Sequence, residues 1–204
     1  MKVAIDGTAG AGKTSVGQAV AEYFSYRFVE TGKMYRCVAL ALHRGMALPD
    51  IVIDVREDGA ILLNGEDVSD LVYSDAVDQG SSRAATSADV RARLLVLQRQ
   101  MAEGCDVVME GRDIGTVVLP DADVKIFLTA DVHVRAERRA AQRGRHDVAR
   151  IEREMAMRDK RDKSRSLAPL KPADDATIIH TDRKTLAEVI SEAIDLVKER
   201  LGTH

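Results

Sequence analysis

Aromatic side chains are scarce in this sequence: they make up 3% of its 204 residues, and tryptophan is absent. Proteins that bind single-stranded nucleic acid commonly stack the bases on aromatic rings, so this scarcity argues against such a surface. No apolar run reaches the roughly 18 residues that a membrane-spanning helix needs. The first predicted strand begins at Lys2, which leaves no room before it for a signal peptide. We therefore expect neither a nucleic acid nor a membrane as a partner.

Cysteine is also scarce. The two cysteines, Cys37 and Cys105, are far apart in the sequence and form no C-x-x-C pattern. Isolated thiols of this kind are typical of a reduced, intracellular protein. Together with the missing signal peptide, they predict a cytoplasmic protein, which we expect to be a monomer.

Charge is distributed unevenly along the chain. The formal net charge is −3, and the fractions of hydrophobic residues (45%) and charged residues (31%) are usual for one globular domain spanning residues 1–204. Residues 135–165 nevertheless hold twelve Arg or Lys against six Asp or Glu. A basic segment on an acidic body favours a local anion site, although helices of mixed charge are often only solvated surfaces.

One glycine-rich stretch organises the chain. It reads Gly7-Thr8-Ala9-Gly10-Ala11-Gly12-Lys13-Thr14-Ser15 and contains the pattern G-x-x-x-x-G-K-[ST]. A predicted strand precedes it and a predicted helix follows it, so backbone N–H groups and the helix dipole can act together on phosphate. We expect Lys13 to be reachable from solvent and to bind the outer phosphates, and the Thr14 hydroxyl to bind a phosphate-bound Mg²⁺. Residues 7–15 are therefore the predicted ATP site.

The rest of the chain alternates between strand and helix patterns. Strands are predicted at residues 2–6, 26–29, 107–109, 124–128 and 177–179, and helices at 15–25, 31–44, 87–103 and 186–201, with an Arg-rich helical region before the last strand. Five strands with helical crossovers predict a three-layer α/β/α fold around a parallel sheet, with its site at the carboxyl ends of the strands. Residues 51–57 and 60–63 interrupt this pattern and predict a small antiparallel β subdomain.

A second set of charged residues indicates what the phosphate loop serves. It comprises Arg36 after the second strand, the run from Glu110 to Asp113 after the third, and Arg158, Arg161 and Arg165 on one predicted helix face with Asp162 between them. Phosphoryl transfer between two nucleotides must neutralise many oxygens, and the planar guanidinium suits that task. The set therefore favours a kinase.

Several longer strings resemble those of the bacterial cytidylate kinases, a family of the nucleoside-monophosphate kinase group. They are IDGTAGAGKTS at 5–15, TGKMYR at 31–36, GEDVS at 65–69, EGRDIGTVVLPDA at 110–122, KIFLTA at 125–130 and RDKRDKSRSLAPLKPA at 158–173. The phosphate loop occurs in many families, whereas GRDIGT and the Arg- and Asp-rich string are specific. The resemblance implies ATP-dependent phosphorylation of CMP and dCMP, with residues 46–86 as a nucleotide-binding insert and residues 145–168 as a helical lid.

The resemblance also implies roles for individual residues. Arg36 and Arg112 would hold the acceptor phosphate, and Thr31 and Gly111 would complete that side of the site. Three residues would face the cytosine ring: Ser82, Arg91 and Asp113. The lid residues Arg158, Asp162 and Arg165 would close over ribose and phosphates. Catalysis would rest on Lys13, Arg112, Arg158 and Arg165, with Mg²⁺ as Mg-ATP, bound by Thr14 and through water by Glu110.

The sequence departs from the pattern of the family in four respects. Thr8 stands where proline is expected, Glu110 where aspartate is usual, and Lys33 where the family has a small residue. Glu110 reaches one methylene further toward a metal-bound water, and Lys33 adds a cation near the predicted acceptor site. The segment from Gly45 to Ser82 is also shorter than is usual for the family.

Three other functions compete with this prediction. A kinase of UMP, AMP or shikimate would share the phosphate loop, although paired acceptor arginines and a base-reading set favour a nucleotide. A nucleotide-hydrolysing switch is weakened by the lack of an N-K-x-D string. A nucleic-acid-binding role for residues 135–165 is weakened by the scarcity of aromatic side chains.

Overall fold

A computed structural model describes residues 1–56, 58–144 and 147–202 of the chain. Its contacts divide the chain into two compact units. The first unit comprises Met1–Phe28 and Cys105–His204, and the second comprises Val29–Gly104. The second unit is therefore continuous in sequence, whereas the first is built from two separate segments.

Strands and helices alternate along most of the chain. In order they are β1 (Lys2–Gly7), α1 (Lys13–Phe24), β2 (Arg27–Glu30), α2 (Thr31–His43), β3 (Ile53–Val55), β4 (Ile61–Leu63), β5 (Glu66–Asp67), α3 (Asp75–Ala84), α4 (Ala88–Met101), β6 (Val107–Glu110), β7 (Val124–Thr129), α5 (Val132–Arg143), α6 (Val148–Ser164), β8 (Thr177–His180) and α7 (Leu186–Gly202). A π-helical turn, Ile114–Val118, separates β6 from β7.

The main sheet has five strands among the described residues, in the order β2-β6-β1-β7-β8. β1 lies in parallel register between β6 and β7, with Val3 opposite both Val108 and Val124. Both neighbours of β1 are strands, so its apolar residues Val3, Ala4 and Ile5 are completely buried, as expected for a central parallel strand. The predicted parallel α/β sheet with helical crossovers is confirmed.

The second unit contains the predicted small antiparallel sheet. β4 pairs with β3 on one side and with β5 on the other. The first strand of the predicted hairpin is shorter than expected, because only Ile53–Val55 pair, and Glu57 lies outside the described residues. Helix α3 and strand β5 were not predicted, since both lie in polar segments with few apolar residues.

The predicted Arg-rich helical region consists of two helices. α5 ends at Arg143 and is capped by Gly144, which takes a left-handed conformation (φ 58°), and α6 begins at Val148. Arg145 and His146, the first residues of the predicted lid, lie outside the described residues. Among the residues that the structure describes, no helix is long and apolar enough to cross a membrane.

Candidate active site

The phosphate loop connects β1 to α1, as the sequence predicts. Gly7 has a φ of 147°, and a Cβ there would lie 2.0 Å from the backbone oxygen of Leu128. Gly12 caps α1 in the left-handed region, with a φ of 95°. Both positions exclude a larger residue, one by contact and the other by backbone conformation. The loop therefore has the open backbone shape that directs N–H groups at a bound phosphate.

Lys13 is buried rather than reachable from solvent, which corrects the expectation above. Its side chain is 6% exposed, and its Nζ donates a hydrogen bond to the backbone oxygen of Thr8 at 2.9 Å. Burial lowers the pKa of Lys13 from 10.5 to about 7, and the nearby charges of Arg112 and Arg158 lower it as well, whereas Glu110 acts in the opposite direction. The loop thus folds around its own lysine, which a sequence pattern alone does not reveal.

Thr14 and Glu110 meet beside the phosphate loop. The Oγ1 of Thr14 donates to the Oε1 of Glu110 at 2.7 Å. Glu110 ends β6 and is 5% exposed, and its carboxylate is in direct contact with the threonine hydroxyl. These two oxygens are the type of ligand that Mg²⁺ prefers.

Asp6, the residue before the phosphate loop, holds the segment that carries Arg112 and Asp113. Its Oδ1 accepts from the N–H of Ile114 and its Oδ2 from the N–H of Gly115, both at 2.8 Å. Burial raises the pKa of Asp6 to about 6, although the two amide bonds lower it. No role was assigned to Asp6 in the sequence analysis. The only available signal was an acidic residue inside an otherwise apolar strand.

Asp162 joins two of the predicted catalytic arginines. Its Oδ2 accepts from the Nε of Arg112 at 3.3 Å, and its Oδ1 lies 3.9 Å from a terminal nitrogen of Arg165. Asp162 and Arg165 have side chains exposed by 6% and 4%. Arg165 lies just after the end of α6 and has extended backbone angles, so the predicted shared helix face stops one residue before it. Arg112 and Arg158 both lower the pKa of Lys13, so these two predicted cations lie near the phosphate loop.

Arg36, the second predicted ligand of the acceptor phosphate, lies in the second unit. Arg36 donates to Asp78 at 3.2 Å, lies 3.7 Å from Glu30 and stacks over the ring of Tyr73 with 5.0 Å to its centroid. None of these three partners was predicted, because each comes from a different segment without a recognisable motif. Arg36 is therefore held in place by two carboxylates and an aromatic ring.

The other predicted ligands of the second unit are in ordered positions. Thr31 begins α2 and is 3% exposed, and Ser82 in α3 is 5% exposed. Arg91 of α4 donates to the backbone oxygen of Ala85 at 3.4 Å. Lys33, the departure from the family pattern, donates to the backbone oxygen of Gly59. Asp113 and Gly111 belong instead to the first unit, so the predicted base-reading residues come from both units.

Comparison with known proteins identifies the family. The sequence profile of the cytidylate kinases matches residues 3–199. The chain belongs to the cytidylate kinase family. It is 45% identical to the cytidylate kinase of Mycobacterium leprae (strain Br4923), over 98% of this chain and 96% of that protein, and 40% identical to the cytidylate kinase of Geobacillus sp. (strain WCH70), over 99% and 98%.

Among solved structures, the chain is similar to a gluconokinase from Sinorhizobium meliloti 1021. The TM-score is 0.57 with 16% sequence identity, over 99% of this chain and 94% of that one. At this level of identity the likeness concerns the fold alone. It agrees with the P-loop kinase type of fold expected from the sequence.

Proposed function

We propose that the protein transfers the γ-phosphoryl group of ATP to CMP, and also to dCMP, giving ADP and the nucleoside diphosphate. The observation that carries the proposal is the phosphate loop with its buried Lys13, together with Arg112 held by Asp162, within a chain that matches the cytidylate kinases from residue 3 to residue 199. A phosphate loop with two further cations, Arg112 and Arg158, near its lysine is suited to a reaction in which negative charge moves between two phosphate groups.

The acceptor in this reaction needs no general base, because its phosphate is already an oxyanion. Catalysis then consists of alignment and charge neutralisation. Lys13 would bind the outer phosphates of ATP, and Arg112 and Arg36 would bind the acceptor phosphate. Arg158 and Arg165 would neutralise the group in transfer, with Asp162 orienting Arg112 and Arg165 through the contacts described above. Closing of the lid would exclude water as a competing acceptor.

Mg²⁺ fits the paired oxygens of Thr14 and Glu110, which lie 2.7 Å apart. Within the described residues, no group of three or more His, Cys, Asp or Glu side chains could hold a metal ion. We therefore propose that Mg²⁺ enters as Mg-ATP and takes its other ligands from phosphate and water. Bound in this way, the ion would neutralise phosphate charge, and the protein residues would orient it.

The finer assignments belong to the same proposal. Thr31, Ser82, Arg91, Gly111 and Asp113 would complete the acceptor site. We propose one kinase domain, residues 1–204, in which residues 46–86 form the nucleotide-binding insert and residues 145–168 form the lid. The protein would act as a monomer in the cytoplasm.

The proposal is tested by measuring ATP-dependent ADP release with CMP, dCMP, UMP, AMP and shikimate as acceptors. We expect the highest kcat/KM with CMP or dCMP. Preference for UMP, AMP or shikimate would identify a different kinase. ADP release that is independent of any acceptor would indicate a nucleotide-hydrolysing switch.

We expect Asp113→Asn to lower the ratio of kcat/KM for CMP to that for UMP by roughly ten- to hundredfold. The N4 amino group of cytosine can donate a hydrogen bond to the carboxylate of Asp113. Uracil carries the oxygen O4 at the same position and cannot donate there. The amide of asparagine can donate to that oxygen instead. The loss should fall chiefly on CMP, as initial rates with both acceptors would show.

Asp121→Asn is a matched control for Asp113→Asn, because Asp121 is exposed and the change in charge is the same. The control should leave the ratio unchanged. An unchanged ratio in Asp113→Asn would mean that Asp113 does not contact the base.

A further inference from the structure

Arg135 of α5 is a buried arginine that the family resemblance did not single out. It is 3% exposed, and its guanidinium donates three hydrogen bonds to three different segments of the first unit. Its Nε donates to the backbone oxygen of Ala130 at 2.9 Å, one terminal nitrogen to the backbone oxygen of Ala9 at 3.0 Å, and the other to Oδ2 of Asp159 at 2.6 Å. One of these segments is the phosphate loop and another is the lid helix α6.

The phosphate loop also packs directly on Arg135 and α6. Ala9 belongs to an apolar cluster with Ile151 and Met155 of α6. A Cβ placed on Gly10 would lie 2.9 Å from the terminal carbon of Met155 and 3.5 Å from the Cβ of Arg135. The side of the loop formed by Ala9 and Gly10 therefore rests on these two helices.

The bond between Arg135 and Asp159 connects α6 to this support. The carboxylate of Asp159 is buried, and among the described residues its Oδ1 has no hydrogen-bond partner. Arg135 thus supplies the counter-charge of Asp159. Three residues later on α6, Asp162 accepts from Arg112. Helix α6 is therefore connected to the phosphate loop through Asp159 and Arg135, and to the predicted acceptor arginine, Arg112, through Asp162.

We propose that Arg135 is a positioning residue of the donor site, which holds the phosphate loop at Ala9 and fixes α6 to that loop through Asp159. Its guanidinium is buried and directs three hydrogen bonds to protein atoms, so its effect on ATP passes through the loop and not through contact. Lysine cannot replace it, because a single ammonium group lacks the planar fork that reaches three acceptors in different directions. This inference rests on the proposed use of the loop for ATP.

The test compares Arg135→Lys with Arg138→Lys. Arg138 lies on the same helix, and its guanidinium also makes two hydrogen bonds, to the Oγ1 and the backbone oxygen of Thr181. We expect Arg135→Lys to lower kcat/KM for ATP by about 10- to 100-fold, because small displacements of a binding loop have effects of that size. The KM for CMP should change less than the KM for ATP, since Arg135 reaches the acceptor arginine only indirectly, through Asp159 and Asp162 of α6. Arg138→Lys should leave both KM values unchanged.

Two measurements that do not depend on turnover accompany the kinetics. Calorimetric titration with a non-hydrolysable ATP analogue should show weaker binding to Arg135→Lys than to Arg138→Lys. Hydrogen exchange should be faster across residues 148–164 in Asp159→Asn than in the wild type. This variant keeps the bonds of Arg135 to Ala9 and Ala130. It therefore tests the inference even if Arg135→Lys does not fold. Analogue binding that is equal in both lysine variants, or exchange of α6 that is unchanged in Asp159→Asn, would overturn the inference. A wild-type protein that binds the analogue but does not phosphorylate CMP would contradict the proposed function instead.

Discussion

Replacing Lys13 with methionine is expected to lower kcat by at least about 10³-fold, because a buried cation that acts on the transferring phosphate is lost.

The same change should stabilise the protein. Burial lowers the pKa of Lys13 to about 7. At neutral and acidic pH, protonating Lys13 therefore costs free energy in the folded protein but not in the unfolded chain, where the ammonium is solvated. We expect the free energy of unfolding at pH 7 to rise by roughly 2–4 kcal/mol in Lys13→Met. This figure is the gain from removing the buried charge minus the loss of the hydrogen bond to Thr8.

The pH dependence of this stabilisation has a definite sign. Between pH 7 and pH 10.5 the unfolded chain binds more protons at Lys13 than the folded protein, so the stability of the wild type rises across this interval. The advantage of Lys13→Met is therefore largest at or below pH 7 and shrinks toward pH 10. Urea unfolding from pH 6 to pH 9.5 measures the difference in free energy of unfolding between Lys13→Met and the wild type. Lys171→Met, at an exposed lysine, is the control. A variant that is less stable than the wild type throughout, or that keeps kcat within about tenfold, would contradict these expectations.

The second large effect is expected at Asp6, which was not among the predicted ligands. In Asp6→Asn one carbonyl oxygen remains, and an NH₂ group replaces the oxygen that faces the N–H of Gly115. That buried N–H then lacks an acceptor, which disfavours the native position of the segment carrying Arg112. We expect kcat to fall about 100-fold, since a displacement near 1 Å has an effect of that order. Steady-state kinetics at saturating ATP and CMP would measure it.

Protonation of Asp6 should act in the same direction as the Asn substitution. The pKa of Asp6 is raised to about 6, so the carboxylate that accepts both amides is lost as pH falls through that value. Ionisation of the substrates affects both proteins alike, so the ratio of wild-type to Asp6→Asn activity should decline from pH 7.5 to pH 5. Between pH 6 and pH 4 the folded protein holds a proton on Asp6 that the unfolded chain does not, so the contribution of Asp6 to stability rises as pH falls across this interval.

Asp123→Asn is the matched control for Asp6→Asn. Asp123 accepts from the backbone N–H of Lys2 at 2.7 Å, at the other end of the same strand, but it is exposed. This variant should retain normal kinetics. A pH-independent activity ratio for Asp6→Asn would show that Asp6 does not titrate in this range.

Much of this architecture could be predicted because its signals are local. The phosphate loop, the five parallel strands and most of the helices depend on residue spacing within short windows. The positions of Arg36, Arg112 and Asp113 followed from strings specific to the family. Their roles remain proposals, since the structure describes where they lie and not what they bind.

The unpredicted features depend on contacts between distant parts of the chain. Asp6 binds the N–H of Ile114, 108 residues away, and Arg135 binds the backbone of Ala9, 126 residues away. The burial of Lys13 has the same origin, because it depends on the charges and side chains that surround the folded loop. Backbone N–H and C=O groups are the same for almost every residue type, so a sequence pattern does not show which of them a side chain binds. A buried Asp or Arg that binds the backbone therefore cannot be distinguished from a charged residue on the surface.

The position of β1 between β6 and β7 has a consequence for synthesis of the protein on the ribosome. β1 emerges first but pairs with residues 107–110 and 124–128, so the phosphate loop cannot assume its final shape until both partners have left the exit tunnel. At about 5–20 residues per second, the apolar amino-terminal strand waits for roughly 6–25 s. The contiguous second unit, residues 29–104, has all its internal contacts available sooner. Nascent chains halted before β7 should therefore expose the apolar residues of β1 and bind chaperones that recognise such segments.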